Sequence, residues 1–172
     1  GNAIQQDGNL TINRNGLDIH ESTSILASKH QKISLTDYDS FESKMMLTSE
    51  SENGIFQMQL ASDEWIMQCH LMEYQNNPEM YCFSTELPIK KFTYTTRKVP
   101  IRFDQWYTLK ISIDATSDRV SFFFDDAFIG SYSSDAQTDV INNSEFDFLV
   151  GAWSSASDIV GKIDHVRIVK SE

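Results

Sequence analysis

The sequence predicts an all-β chain folded as an antiparallel β-sandwich, and three observations carry that expectation. Tyr107, Leu109, Ile111 and Ile113 alternate with Thr108, Lys110, Ser112 and Asp114, the period-two pattern of a strand with one buried face. Two compact turns follow: the polar stretch Ala115 to Asp118, then Asp125-Asp126, where Asp tolerates the left-handed backbone of a tight hairpin loop. Finally, no stretch sustains a 3.6-residue period, so helix is expected to be minor. The apolar side of this meander is aromatic and β-branched, with Val120, Phe122 and Phe124 and then a return strand from Phe128 to Tyr132. Such a side has to pack on a second sheet.

The remaining elements follow in order. Leu10 to Ile12, Gly16 to Ile19 and Ile25 to Ile33 are short apolar pulses. From Tyr38 to Thr48 the pattern is clearer, because Phe41, Met45 and Leu47 share one parity and Glu42 and Lys44 the other. After a turn at Glu50 to Gly54, Ile55 to Leu60 sets Phe56, Met58 and Leu60 against Gln57 and Gln59. Trp65 to Tyr74 sets Trp65, Met67, Cys69 and Leu71 against Ile66, Gln68, His70 and Tyr74, so two neighbouring strands carry Gln on the side away from the core. Phe92 to Arg97 reads as a strand, with Val99-Pro100 at an extended edge. Ser133 to Ser144 reads as a polar loop, Glu145 to Trp153 as a strand, and Val160 to Lys170 as the last strand. Roughly ten to thirteen strands result, at spacings typical of sandwiches and jelly rolls.

The 172 residues suffice for one substantial domain, 1–172, and no Pro, Gly or Ser tract interrupts them. With 14 basic against 25 acidic residues the net charge is −11, which would repel phosphate backbones and anionic membrane surfaces. Nucleic acid is therefore not an expected partner. No run of eighteen apolar residues is present, so no membrane insertion is expected. His20, His30, His70 and His165 lack the spacing of a shared zinc site. There is no G-x-S-x-G elbow and no Gly-rich phosphate loop.

Cys69 and Cys82 flank the turn-rich Gln75-Asn76-Asn77-Pro78. If Trp65 to Tyr74 and Met80 to Thr85 pair as a hairpin across that four-residue loop, the two cysteines lie opposite each other on one face, as a disulfide needs. Two separate buried thiols would be the alternative. A disulfide implies an oxidising compartment, hence a secreted, cell-surface or periplasmic protein.

The series Trp106-Tyr107-Thr108-Leu109-Lys110-Ile111, Val120-Ser121-Phe122-Phe123-Phe124-Asp125 and Ile129-Gly130-Ser131-Tyr132 resembles the second half of concanavalin A-like lectin/glucanase domains. That superfamily includes laminin-G-like, pentraxin and family 16 glycoside hydrolase folds. The closing Gly161-Lys162-Ile163-Asp164-His165-Val166-Arg167-Ile168 is similar to their last strand, commonly written V-D-Y-V-R-V. The resemblance covers Phe103 to Lys170, while the first hundred residues agree in strand pattern only. It implies a two-sheet antiparallel jelly roll with a concave sheet on which many members bind sugars. It also implies that Asp164, matching the last-strand Asp, could help hold a structural calcium. An Asp satisfied by backbone amides or an Arg would look the same. The hydrolase branch carries E-x-D-x-x-E on a central strand, and this chain has no such motif. Glu73 and Glu86 are the remaining acidic candidates, yet hydrolysis needs two carboxylates facing one groove.

Sugar recognition combines amide or imidazole hydrogen bonds to hydroxyls with a flat ring against the pyranose face. Gln57, Gln59, Gln68 and His70 are therefore expected to form a glycan site, with Tyr74, Tyr81 or Trp153 as stacking surfaces. Any one of them would also suit a merely solvated sheet face; it is the cluster that carries the expectation. Trp65 and Trp106 stand beside core residues and are expected to pack. The sequence thus favours a non-catalytic, lectin-like carbohydrate-binding module, a monomer or part of a larger surface protein, whose partner is a glycan. The alternatives are a glycoside hydrolase or polysaccharide lyase of the same superfamily, and a laminin-G-like adhesion domain that binds protein. A His70 beside a Tyr and a Gln or Arg would favour the lyase.

Overall fold

Fifteen strands form among the described residues, consistent with alternating β-branched and aromatic residues and the scarcity of sustained helical periodicity. The computed structural model describes residues 2–6, 9–14, 23–24, 32–51, 54–87, 91–117, 119–133, 141–142, 144–154 and 159–171. The strands are β1 (Asn2–Gln6), β2 (Asn9–Arg14), β3 (Thr23–Ser24), β4 (Ile33–Ser34), β5 (Tyr38–Leu47), β6 (Gly54–Ala61), β7 (Trp65–Tyr74) and β8 (Asn77–Glu86). They continue with β9 (Lys91–Thr95), β10 (Val99–Pro100), β11 (Trp106–Asp114), β12 (Arg119–Phe124), β13 (Ala127–Tyr132), β14 (Glu145–Ser154) and β15 (Ile159–Lys170). The expected turns at Glu50–Gly54 and Ala115–Asp118, the loops around 135–139 and 155–158, and the pulses at 16–19 and 25–31 lie wholly or partly outside the described residues.

Two antiparallel sheets result. A seven-stranded sheet runs β1-β2-β15-β5-β11-β12-β13, and an eight-stranded one runs β10-β8-β7-β6-β14-β3, with β9 on β8 and β4 on β14. Non-sequential neighbours such as β15 beside β5, and β14 beside β6, give the jelly-roll crossing pattern. Alternation decides which side chains meet between the sheets. Phe41, Met45 and Leu47 on β5, Leu109 and Ile111 on β11, and Val120 and Phe122 on β12 come from one side. Phe56, Met58 and Leu60 on β6 and Trp65, Met67, Cys69 and Leu71 on β7 come from the other. The sheets approach closely at Gly161 of β15, where a Cβ would lie 2.7 Å from the Phe56 ring.

The meander forms as expected. Asp125 and Asp126 both take left-handed backbone, with φ of 47° and 62°, and join β12 to β13. Within the Phe triplet only Phe122 is fully buried; Phe123 faces outward against Phe128 and Lys110. Trp106 departs from expectation for the same reason of parity. Tyr107 takes the inward position, so Trp106 lies on the outer face of the seven-stranded sheet beneath Lys44 Nζ. The stretch read as polar loop contributes Ile141, which is buried in the core.

The hairpin turn between β7 and β8 is tighter than the sequence suggested. Gln75 and Asn76 alone make the turn, with φ of 54° and 62°, and Asn77 and Pro78 already belong to β8. Tyr74 therefore pairs with Asn77, and counting back along the ladder brings Cys69 opposite Cys82. The expected four-residue loop would instead have set Cys69 opposite Ser84, so the expected cysteine pairing holds only because the turn is two residues shorter. The cysteines form a disulfide on the core face, where both are fully buried.

Candidate functional site

The face of the eight-stranded sheet turned away from the core gathers most of the expected residues. Ladder pairing sets Gln57 opposite His70 and His70 opposite Tyr81, with Gly151 on the far side of Gln57. The next rung sets Gln59 opposite Gln68 and Gln68 opposite Phe83, with Leu149 beyond Gln59. Because all these positions share one parity, their side chains rise from the same surface.

The polar members are joined in a chain. The Gln68 amide nitrogen donates to Gln57 Oε1 at 2.5 Å and lies 3.0 Å from His70 Nδ1. The Gln57 amide nitrogen donates onward to Gln59 Oε1 at 3.1 Å. These groups are as buried as core residues although they belong to an outer face: His70 is 2% exposed, Gln68 6% and Gln57 8%. Aromatic rings account for part of that shielding. The His70 ring meets Tyr81 edge to face with centroids 4.0 Å apart, and meets Phe83 at 5.6 Å. His70 Nε2 is the buried side-chain polar atom that finds no hydrogen-bond partner among the described residues. Burial, with the nearby Lys98 ammonium adding to it, pushes the imidazole pKa down to about 3, so the ring is neutral at ordinary pH. Burial likewise raises the Tyr81 phenol, which stays protonated, although Lys98 opposes that shift.

Lys98 and Glu79 frame one side. Pairing of Val99 with Met80 and of Pro100 with Glu79 carries the chain past the β8 edge and brings Lys98 level with Tyr81. Lys98 Nζ sits 5.3 Å from the centre of the Tyr81 ring and forms an ion pair with Glu79. Beside them a cleft of about 390 Å³ is lined by Asn77, Pro78, Glu79, Lys98, Pro100 and Ile101. Lys98, Glu79 and Phe83 were not anticipated from sequence. Phe83 shares parity with Tyr81 and follows once the cysteine register is known. Lys98 has no local signal, because it arrives through a long-range strand pairing.

Of the expected stacking residues, Tyr81 is in the cluster. Tyr74 shares its parity but stands two rungs away at the hairpin end, 59% exposed. Trp153 pairs with Ile55 and is in register with this face, but its side chain lies outside the described residues. Glu73 and Glu86 have core parity; Glu73 is buried and accepts the backbone N–H of Asn76 at 2.5 Å. The face does carry Glu79 and, on β14, Glu145 and Asp147, the last held by Lys32 at 3.0 Å. Glu79 and Asp147 lie three strands and three rungs apart, on the order of 20–25 Å from strand spacing and rise, beyond the reach of a shared glycosidic bond, whereas Glu145 and Asp147 share one side of a single strand about 7 Å apart.

Asp164 lies elsewhere, on the outer side of β15 at a register shift between Ile163 and His165. Its neighbours are Lys44 Nζ at 3.1 Å and His165 Nδ1 at 3.3 Å, and the Lys44 hydrogen bond, first, then that of His165, lowers its pKa. Among the described residues no group of three His, Cys, Asp or Glu side chains could hold a metal. Calcium requires converging oxygens, so the nitrogen surroundings described at Asp164 do not fit it.

No protein-family model matches the chain, and no curated protein matches it. Solved structures do. The GH43 protein BlXynB of Bacillus licheniformis superposes with a TM-score of 0.63 at 12% identity, over 96% of this chain but 34% of its own. The chain thus spans about a third of that protein. SCLam, a non-specific endo-β-1,3(4)-glucanase of family GH16, gives 0.66 at 11% identity over 97% of this chain and 73% of its own. The carbohydrate-binding module CBM66 of Bacillus subtilis gives 0.59 at 14% identity, over 98% and 91% respectively. At such identities the likeness speaks for the fold, and together with the two-sheet topology it establishes the fold of this chain as a two-sheet antiparallel jelly-roll sandwich shared with these structures.

Proposed function

We propose that the chain is a carbohydrate-binding domain that takes a glycan on the Gln57–His70–Tyr81 face of its eight-stranded sheet, without cleaving it. The observation that carries this reading is the buried amide and imidazole cluster beside an aromatic ring, on a sheet face where water alone would not demand burial. Hydrogen-bonding groups among rings suit a sugar, whose hydroxyls and flat apolar face ask for both. The cluster itself is built of amides, an imidazole and a phenol, with no carboxylate among its members, which supports binding over hydrolysis. A buried disulfide supports a secreted or surface-exposed setting. No helix among the described residues is long and apolar enough to cross a membrane.

A second reading, polysaccharide lyase, is favoured by one specific juxtaposition: His70 stands against Tyr81 and is bonded to Gln68. β-Elimination needs a base for the proton beside the sugar carboxylate and an acid for the leaving oxygen. A glycan array followed by calorimetry tests the first reading, run beside assays for reducing ends and for the ultraviolet absorbance of an unsaturated product. Binding without product is expected, and Gln57→Ala and Tyr81→Ala are each expected to weaken it by about tenfold with unchanged far-ultraviolet dichroism. Unsaturated product would establish the lyase; new reducing ends alone would establish a hydrolase.

A further inference from the structure

The hydrogen count around Gln68 reaches further than the placement of the residues. One amide nitrogen has two hydrogens, and here it meets two acceptors: Gln57 Oε1 at 2.5 Å and His70 Nδ1 at 3.0 Å. With both hydrogens spoken for, His70 Nδ1 must accept. A neutral imidazole then carries its single proton on Nε2, the buried atom that has no hydrogen-bond partner among the described residues. The direction propagates, because Gln57 donates to Gln59 only if its oxygen faces Gln68. Reversing His70 would require turning Gln68, Gln57 and Gln59 together.

We propose that Gln68, backed by Gln57 and Gln59, is a positioning residue that locks His70 as an Nε2–H donor, and that this donor receives a hydrogen-free sp² oxygen of the glycan. The proposal rests on the glycan-binding reading of the same face. A buried N–H left unpaired is costly, and the Tyr81 ring, at 4.0 Å between centroids, offers at most a weak π acceptor. A sugar hydroxyl arriving there would bring a hydrogen of its own that also needs an acceptor among rings. A carbonyl or carboxylate oxygen brings none. The ligand class is thus a sugar bearing an N-acetyl group or a uronate carboxylate. Tyr81, which is only partly buried and packs on the His70 ring as Phe83 also does, is the side chain this proposal has swing aside to let that oxygen reach Nε2. Lys98 separates the two sources: a carboxylate would draw on its charge and an N-acetyl carbonyl would not.

The test begins without ligand. Long-range ¹⁵N–¹H correlation of the imidazole is expected to show His70 protonated at Nε2, and protonation at Nδ1 overturns the lock. Titration with an N-acetylated oligosaccharide, an oligouronate and a neutral glucan follows. The Nε2 resonance is expected to move with one of the first two and to stay put with the glucan. Gln68→Glu keeps the side-chain size but would draw the proton to Nδ1, and about a tenfold loss of affinity is expected. Lys98→Met weakens oligouronate binding and salt sensitivity if the oxygen is a carboxylate, and leaves binding unchanged if it is a carbonyl. Tight glucan binding, or glycan binding with a still Nε2, overturns the inference while leaving the binding function intact. If wild-type protein binds no glycan in any arm, the function itself fails, whatever the tautomer.

Discussion

His70 is 2% exposed, and its ionisation is set by burial and the Lys98 ammonium, which take its pKa from 6.5 to about 3. Between those values the unfolded chain binds a proton that the folded chain refuses, so stability rises with pH across the window. The contribution is complete above pH 6.5 and is lost as pH falls toward 3. Urea unfolding at about pH 7 and about pH 4.5 should therefore show a drop on the order of 1–3 kcal/mol in the wild type that is smaller in His70→Phe. An equal drop in both would place the acid sensitivity elsewhere. Much of this site was legible at the level of parity. Gln57, Gln59, Gln68 and His70 could be assigned to one surface because a strand alternates strictly. Their hydrogen bonds could not, since which amide meets which ring nitrogen depends on the cross-strand register. Trp106 shows the same limit from the other direction: a Trp beside core residues is in the core only if its own parity points there.

Among the elements, the β7–β8 hairpin does the most to place the site, and its turn carries a local cost. Gln75 at φ 54° holds a backbone conformation that a side chain with a Cβ disfavours, whereas Asn76 at 62° belongs to the residue types that accept it. Gln75→Gly should stabilise the chain by about 0.5–1 kcal/mol, the left-handed penalty less the added freedom of glycine when unfolded. Thermal unfolding checks this, and a lower melting temperature would show that the Gln75 side chain is worth more than the strain. The sequence signalled a turn here but made it two residues too long, because Asn77 and Pro78 look like turn residues. Pro78 is accommodated in β8 next to the short strand β10, with Ile101 N–H donating to its carbonyl. The strands of the β11–β12–β13 meander and its Asp-Asp turn were legible from strong alternation, whereas the outward Trp106 and the bulge between Phe122 and Phe123 were not. Strands β1 to β4 were not, being short or weakly patterned; β2, β3 and β4 moreover pair with β15 and β14, far away in sequence, while β1 pairs only with β2.

The whole molecule is held by two sheets whose separation is set by particular contacts. Gly161 opens the last-strand motif, and the reason it is glycine is the Phe56 ring of the opposite sheet, 2.7 Å from where a Cβ would stand. Gly161→Val is expected to destabilise by ~1–3 kcal/mol through overpacking, as measured by chemical denaturation. A neutral result would mean the sheets can part there without loss. The resemblance read from the sequence rested on this motif and the meander, which lie on the seven-stranded sheet and give the core residues such as Gly161, Ile163, Leu109, Ile111 and Phe122; the residues proposed for function sit on the other sheet. The disulfide lies on the core side of that other sheet, between its strands β7 and β8. Cys69 stands between Gln68 and His70, and Cys82 between Tyr81 and Phe83, so the bridge crosses directly behind the rings that face the ligand. The loop it closes contains both His70 and Tyr81. Their mutual spacing is therefore fastened covalently from the rear, and a reducing environment would slacken the grip of this surface before it threatened the fold around it.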